Sequence, residues 1–159
     1  MTNTAPSEAL LEHTWRYFEL HAKQRITVFN YFLVLSGAVV AGLAATLQGS
    51  PRFSFVGAVL GVLLALVSFV FWKLDQRVSF LIKHAEAALA EVEKALPTES
   101  ARLFLLEPGR AETAAKSAPW WTRQWTYGRA FRFVFVVMAL FGIIGAVLSG
   151  LKFFAVIFW

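Results

Sequence analysis

The sequence predicts an all-α membrane protein with three transmembrane helices and a cytoplasmic antiparallel helical hairpin. Three observations predict it. Residues 26–51, 53–72 and 133–151 carry no charge. Apolar residues recur at four-three spacing in the segments next to the first two runs. Basic residues crowd one side of all three runs, which orders the helices across a bilayer.

Composition agrees. The chain of 159 residues is 58% hydrophobic and 16% charged, with mean hydropathy +0.60, whereas soluble domains carry about 25% charged and about 45–50% apolar residues. The net charge of +5 reflects cytoplasmic loops in such a protein and does not point to nucleic acid. Cysteine is absent, which rules out disulfides, thiol catalysis and cysteine metal sites. The N-terminus has a polar start, an acidic first charge (Glu8) and no A-x-A site. No cleaved signal peptide is therefore expected.

Residues 1–25 are read as a cytoplasmic amphipathic helix, in which Leu11, Trp15, Phe18 and Ala22 share one face. Residues 26–48 form the first span. A helix needs about 20 apolar residues to cross roughly 30 Å of hydrocarbon. A Gly-Ser-Pro turn then forces the second span, 53–73, to run antiparallel to the first. Residues 74–96 continue that helix below the membrane. There Leu74, Val78, Leu81, Ala85, Ala88 and Val92 form an a/d seam that stops at Pro97.

Residues 97–130 mix Pro, Gly, Ser, Thr, Ala and Glu around one oily knot at 103–106. A short helix and then a flexible linker are expected, leading to an aromatic segment. Trp120, Trp121 and Trp125, with Arg129 and Arg132, suit the headgroup level, where indole rings are partly wet. Base stacking also pairs aromatics with arginine, but a position directly before a span favours the interface. The third span is 131–157. Its Lys152 lies near the helix end, where an ammonium can snorkel.

Of fifteen basic residues only Arg52 and Lys152 fall on the far side of the spans. Lys23 and Arg25 precede the first span and Lys73 closes the second. The expected placement is the bacterial inner membrane, with the N-terminus in and the C-terminus out. This excludes a large extracellular domain. The runs lack a period of two, which excludes an outer-membrane barrel. No acidic residue, basic residue or histidine lies mid-span, and the three spans show no inverted repeat, which argues against a pump or coupled transporter.

Each span carries small residues four apart: Gly37, Ala41 and Ala45; Gly57, Gly61 and Ala65; Gly142, Ala146 and Gly150. Such faces let helices approach closely in lipid, where no hydrophobic effect draws them together. Three spans offer few internal contacts, so a third ladder leaves surface for a neighbour. A homo-oligomer is expected.

The spacings R-x4-H, Arg16 to His21, and R-x6-H, Arg77 to His84, are similar to the motif of HEPN-type ribonucleases. That resemblance implies His and Arg acting on an RNA phosphate across a helix interface. In an antiparallel hairpin His21 falls level with Arg77, and Arg16 with His84. Chance alone supplies matches at these counts, and Tyr17 and Val78 stand where the motif has a polar residue. No metal spacing, phosphate loop or catalytic motif is present, so no cofactor is expected and the chain reads as non-enzymatic.

The segment 17–37, with its order aromatic–His–Ala–x–Gln–Arg and then Phe–Asn, resembles small bacterial multi-pass proteins. Over residues 10–96 the layout of two spans and a cytoplasmic helical pair resembles SLATT-type effectors of bacterial defence systems, and also the membrane accessory beside some RNA-targeting CRISPR nucleases. The third span departs from that plan. The resemblance implies an oligomer that perforates or depolarises the membrane. Three functions are expected in order: a pore-forming or membrane-perturbing effector gated through its cytoplasmic helices; an anchor that docks a soluble cytoplasmic protein; and a membrane-tethered ribonuclease. The bilayer is a partner in all three.

Overall fold

The computed structural model of the protein describes residues 4–96, 98–117, 119 and 125–157. Among these the chain is helical without strands. Helix α1 spans Thr4–Gln48 and α2 spans Ser54–Glu93, joined through a 3-10 turn at Pro51–Phe53. Helix α3 is Leu103–Ser117 and α4 is Tyr127–Ile157. With 45 residues in α1 and 40 in α2, at about 1.5 Å per residue, both far exceed the hydrocarbon thickness. Among the described residues three helices are long and apolar enough to cross a membrane. The protein is all-α, as the charge-free runs predict.

The chain forms two compact units. One takes α1 from Ile26, α2 as far as Asp75, and α4; the other takes α1 as far as Arg25, α2 from Gln76, and α3.

In the first unit, Phe32 and Leu64 are fully buried beside Val39, Leu43, Phe131 and Phe135. Phe29 stacks on Phe131 with ring centroids 3.9 Å apart, and Phe135 meets Phe32 edge-on at 4.7 Å. Buried hydroxyls turn back on their own helix. Ser36 donates to the Phe32 carbonyl at 2.6 Å and Ser68 to that of Leu64 at 2.8 Å, which satisfies a polar group inside an apolar bundle.

In the second unit, α2 buries Val78, Ile82, Ala85 and Leu89, and also Ser79 and Glu93. This corrects the expected seam. Val78 and Ala85 belong to it, but Leu74 and Ala88 are exposed, and Ile82 and Leu89 take the buried places. The physical reason is α3. Helix α3 belongs to the same unit and gives the buried Glu93 a partner in the Leu105 N–H, so the buried face is not confined to an apolar two-helix seam.

The expected linker is also corrected. Helix α3 continues past the oily knot through Pro108 to Ser117. Proline removes one backbone donor there. Its exposed end carries local pairs: Thr113 bonds to the Gly109 carbonyl, and Lys116 pairs with Glu112 at 2.7 Å. Pro97 lies outside the described residues.

Candidate functional site

The spans meet where side chains are missing. A Cβ on Gly61 would lie 2.5 Å from the Ala146 nitrogen and 2.6 Å from the Gly142 carbonyl oxygen. A Cβ on Gly142 would lie 2.6 Å from the Gly61 oxygen and 2.7 Å from the Ala65 nitrogen. Here α2 and α4 touch backbone to backbone, a contact only glycine permits. A Cβ on Gly57 would lie 2.5 Å from Ser149 Oγ and 2.6 Å from Thr46 Oγ1, side-chain rather than backbone atoms. Thr46 donates to the Leu43 carbonyl. The buried hydroxyls of Ser54 and Ser149 have no hydrogen-bond partner among the described residues. On α1, Gly37 has nothing within 4 Å of its Cβ position, and Ala41 and Ala45 are exposed. Gly150 is also open.

The ladders did not single out two residues that matter here. Gly145 seats the Leu43 side chain in the space a Cβ would need; its position three residues after Gly142 was the available signal. Lys152 does more than reach an interface. Its Nζ donates to the Leu47 carbonyl at 2.9 Å and the Gly49 carbonyl at 2.8 Å. A cation thus closes the C-terminal end of α1, where carbonyls lack helical partners and the dipole is negative.

The second unit is held at the α2–α3 corner. Glu93 is buried, and its Oε2 accepts from the Leu105 N–H at 2.9 Å, capping the start of α3. Arg102 answers by donating to the Leu96 carbonyl at 2.7 Å. Phe104 packs edge-on against Phe18 at 5.3 Å and Trp15 at 6.4 Å. The oily knot pointed to Phe104; nothing in the local pattern pointed to Glu93. Burial raises the pKa of Glu86 above the usual carboxylate value; the charge of Glu107 adds to this, against Lys83 and Arg25.

The four candidate nuclease residues make local contacts. Arg16 pairs with Glu12 on its own helix at 2.5 Å. His21 sits against Tyr17, ring centroids 4.4 Å apart, with Nδ1 3.2 Å from Gln24 Oε1. His84 stacks on Phe80, and Arg77 is exposed. No hydrogen bond, ion pair or ring contact joins any two of the four. No group of three or more metal-binding side chains occurs among the described residues.

Of the basic and aromatic residues expected at the interface, Lys23 pairs with Glu19 at 2.6 Å, and Arg25 is half-buried. Lys73 lies over the Trp72 ring at 5.5 Å. Trp125, Arg129 and Arg132 are exposed. Trp120 and Trp121 lie outside the described residues.

Fold and site together define an all-α, multi-span membrane protein whose helices meet through glycines. Residues 8–152 match the octameric membrane protein family (8xMP), and the chain belongs to that family. It is 41% identical to CD-NTase-associated protein 19 of Escherichia coli over 143 residues, covering 86% of this chain and 87% of that protein. No solved structure matches it. The chain is thus a member of a family of oligomeric membrane proteins.

Proposed function

We propose that this protein is a pore-forming or membrane-perturbing effector of the bacterial inner membrane, gated through its cytoplasmic helices. In this reading residues 26–48, 53–73 and 131–157 span the bilayer, with the N-terminus in and the C-terminus out. Residues 1–25 and 74–96 receive the signal. The observation that carries the reading is the match to an octameric membrane family over residues that include the first two spans and most of the third. A ring of eight copies provides many helices around one axis, and a lumen walled by weakly polar side chains conducts without a buried charge. Expression together with the relevant defence trigger should collapse the membrane potential, read with a voltage-sensitive dye. An unchanged potential under a confirmed trigger sinks the proposal. His21→Ala combined with His84→Ala should leave depolarisation intact; its loss would revive the ribonuclease reading.

A second reading has one specific observation behind it. The relative is named as CD-NTase-associated. If this chain anchors a soluble protein of that kind, its cytoplasmic helices are the docking surface. Leu20 and Phe80 are 62% and 68% exposed there. Co-purification with a co-expressed CD-NTase should disappear in Leu20→Asp and Phe80→Asp. Retention in both variants counts against the anchor.

A further inference from the structure

The three helices of the membrane unit expose unlike faces. Near the turn at 49–53, α2 exposes Phe55, Val59 and Val62, and α4 exposes Ile144, Val147 and Leu151. These are bulky apolar side chains suited to lipid. From residue 37 to residue 48, α1 exposes no large apolar side chain at all. What it exposes is Gly37, Ala38, Ala41, Ala44, Ala45 and Gln48.

These small residues are not explained by packing inside the chain. Gly57, Gly61, Gly142 and Gly145 are each filled by a neighbour, whereas Gly37 faces open space. Gly150 is open too, but the bulky exposed Val147 and Leu151 flank it, so it makes no flat face. Asn30 is exposed on the same stripe within the charge-free run, separated from the small residues at 37, 41 and 45 by the exposed Val34. It lies about one turn inside the inner end of that run, where an amide can bridge to a neighbouring helix. Side chains facing lipid gain nothing from being small, whereas helix–helix contacts in lipid are built from small residues with polar groups bonding across them.

We infer that the α1 face formed by Gly37, Ala41 and Ala45, with Asn30 at its end, is where a second copy of this chain packs. The inference rests on membership of an octameric family and adds the surface that family membership does not specify. Copies inserted in one orientation meet head to tail, so this face of one copy receives a different face of the next.

The test uses the full chain purified in mild detergent, with mass measured by native mass spectrometry. Gly37→Leu and Ala41→Leu should each lower the octamer fraction at least about tenfold at matched concentration. Because Gly37 faces open space, the variant should keep its helical circular dichroism and the thermal transition of the single chain. Val59→Phe and Ile144→Phe, which enlarge the lipid-type faces, should keep the octamer. Octamers that survive both α1 variants overturn the proposal, and so do octamers lost equally in the α2 and α4 variants. With no native cysteine, Ala41→Cys reports exposure directly. Slow reaction with a charged thiol reagent in the octamer supports the contact; fast reaction makes this face the wall of a lumen and overturns it. A wild-type chain that does not assemble overturns octamer formation itself, a failure distinct from a misplaced face.

Discussion

The two units solve the same packing problem by opposite means. The membrane unit brings helices together by removing side chains, so that Gly61 and Gly142 place backbone on backbone. The other unit fastens its helices with side chains: the Glu93 carboxylate, the Arg102 guanidinium and the Phe104 ring. The difference follows from the solvent. In lipid an extra methyl group gains little from burial and close van der Waals contact decides. In water apolar burial and charged caps both contribute. A glycine crossing therefore fails abruptly when altered, whereas a capped corner weakens by steps.

Substitutions should rank accordingly. Gly61→Leu should be the most damaging, costing about 3 kcal/mol or more, because the nearest atoms are backbone and cannot give way. A thermal melt in detergent should show loss of the main transition; a melt like wild type would refute the crossing. Glu93→Ala should cost about 1–2 kcal/mol and act on the other unit alone. Hydrogen exchange should rise in residues 103–117 and stay unchanged in α4. Faster exchange in α4 would break the separation of the units.

Lys152→Met should cost about 1 kcal/mol, seen as faster exchange at residues 45–49 in the last turn of α1. Smallest is Glu86→Gln. Burial raises the folded-state pKa of Glu86, so ionisation opposes folding once pH rises through that value. The variant should gain a little stability at neutral pH, within about 2 °C, and the gain should vanish on acidification below the carboxylate range. A gain that grows with acid would reverse the sign of the argument.

The fold class was legible because membrane-length runs are set by composition alone, and 26, 20 and 19 uncharged residues admit few alternatives. What the sequence concealed was contact between elements distant in the chain. Glu93 looks like any solvent-facing carboxylate on an amphipathic helix, and its meaning depends on α3 folding back to place Leu105 beside it. The seam at 74–92 was misjudged for the same reason, since only apolar residues were assigned to it while Ser79 and Glu93 are buried. The spacing of Arg16, His21, Arg77 and His84 suggested a meeting across helices, whereas the contacts seen are local: Arg16 with Glu12, His21 with Tyr17 and His84 with Phe80. The small-residue ladders point to close approach, but spacing alone does not distinguish Gly61, which is enclosed, from Gly37, which is open.

Lys152 gives the chain an order of completion. The carbonyls of Leu47 and Gly49 are made early in translation, and the ammonium that receives them arrives more than one hundred residues later. Until then the first helical hairpin sits in the bilayer with its turn unfinished, dependent on water or headgroups for those bonds. The last span is thus the piece that closes the first. A chain cut short before residue 152 would leave the carbonyls of Leu47 and Gly49 without that donor.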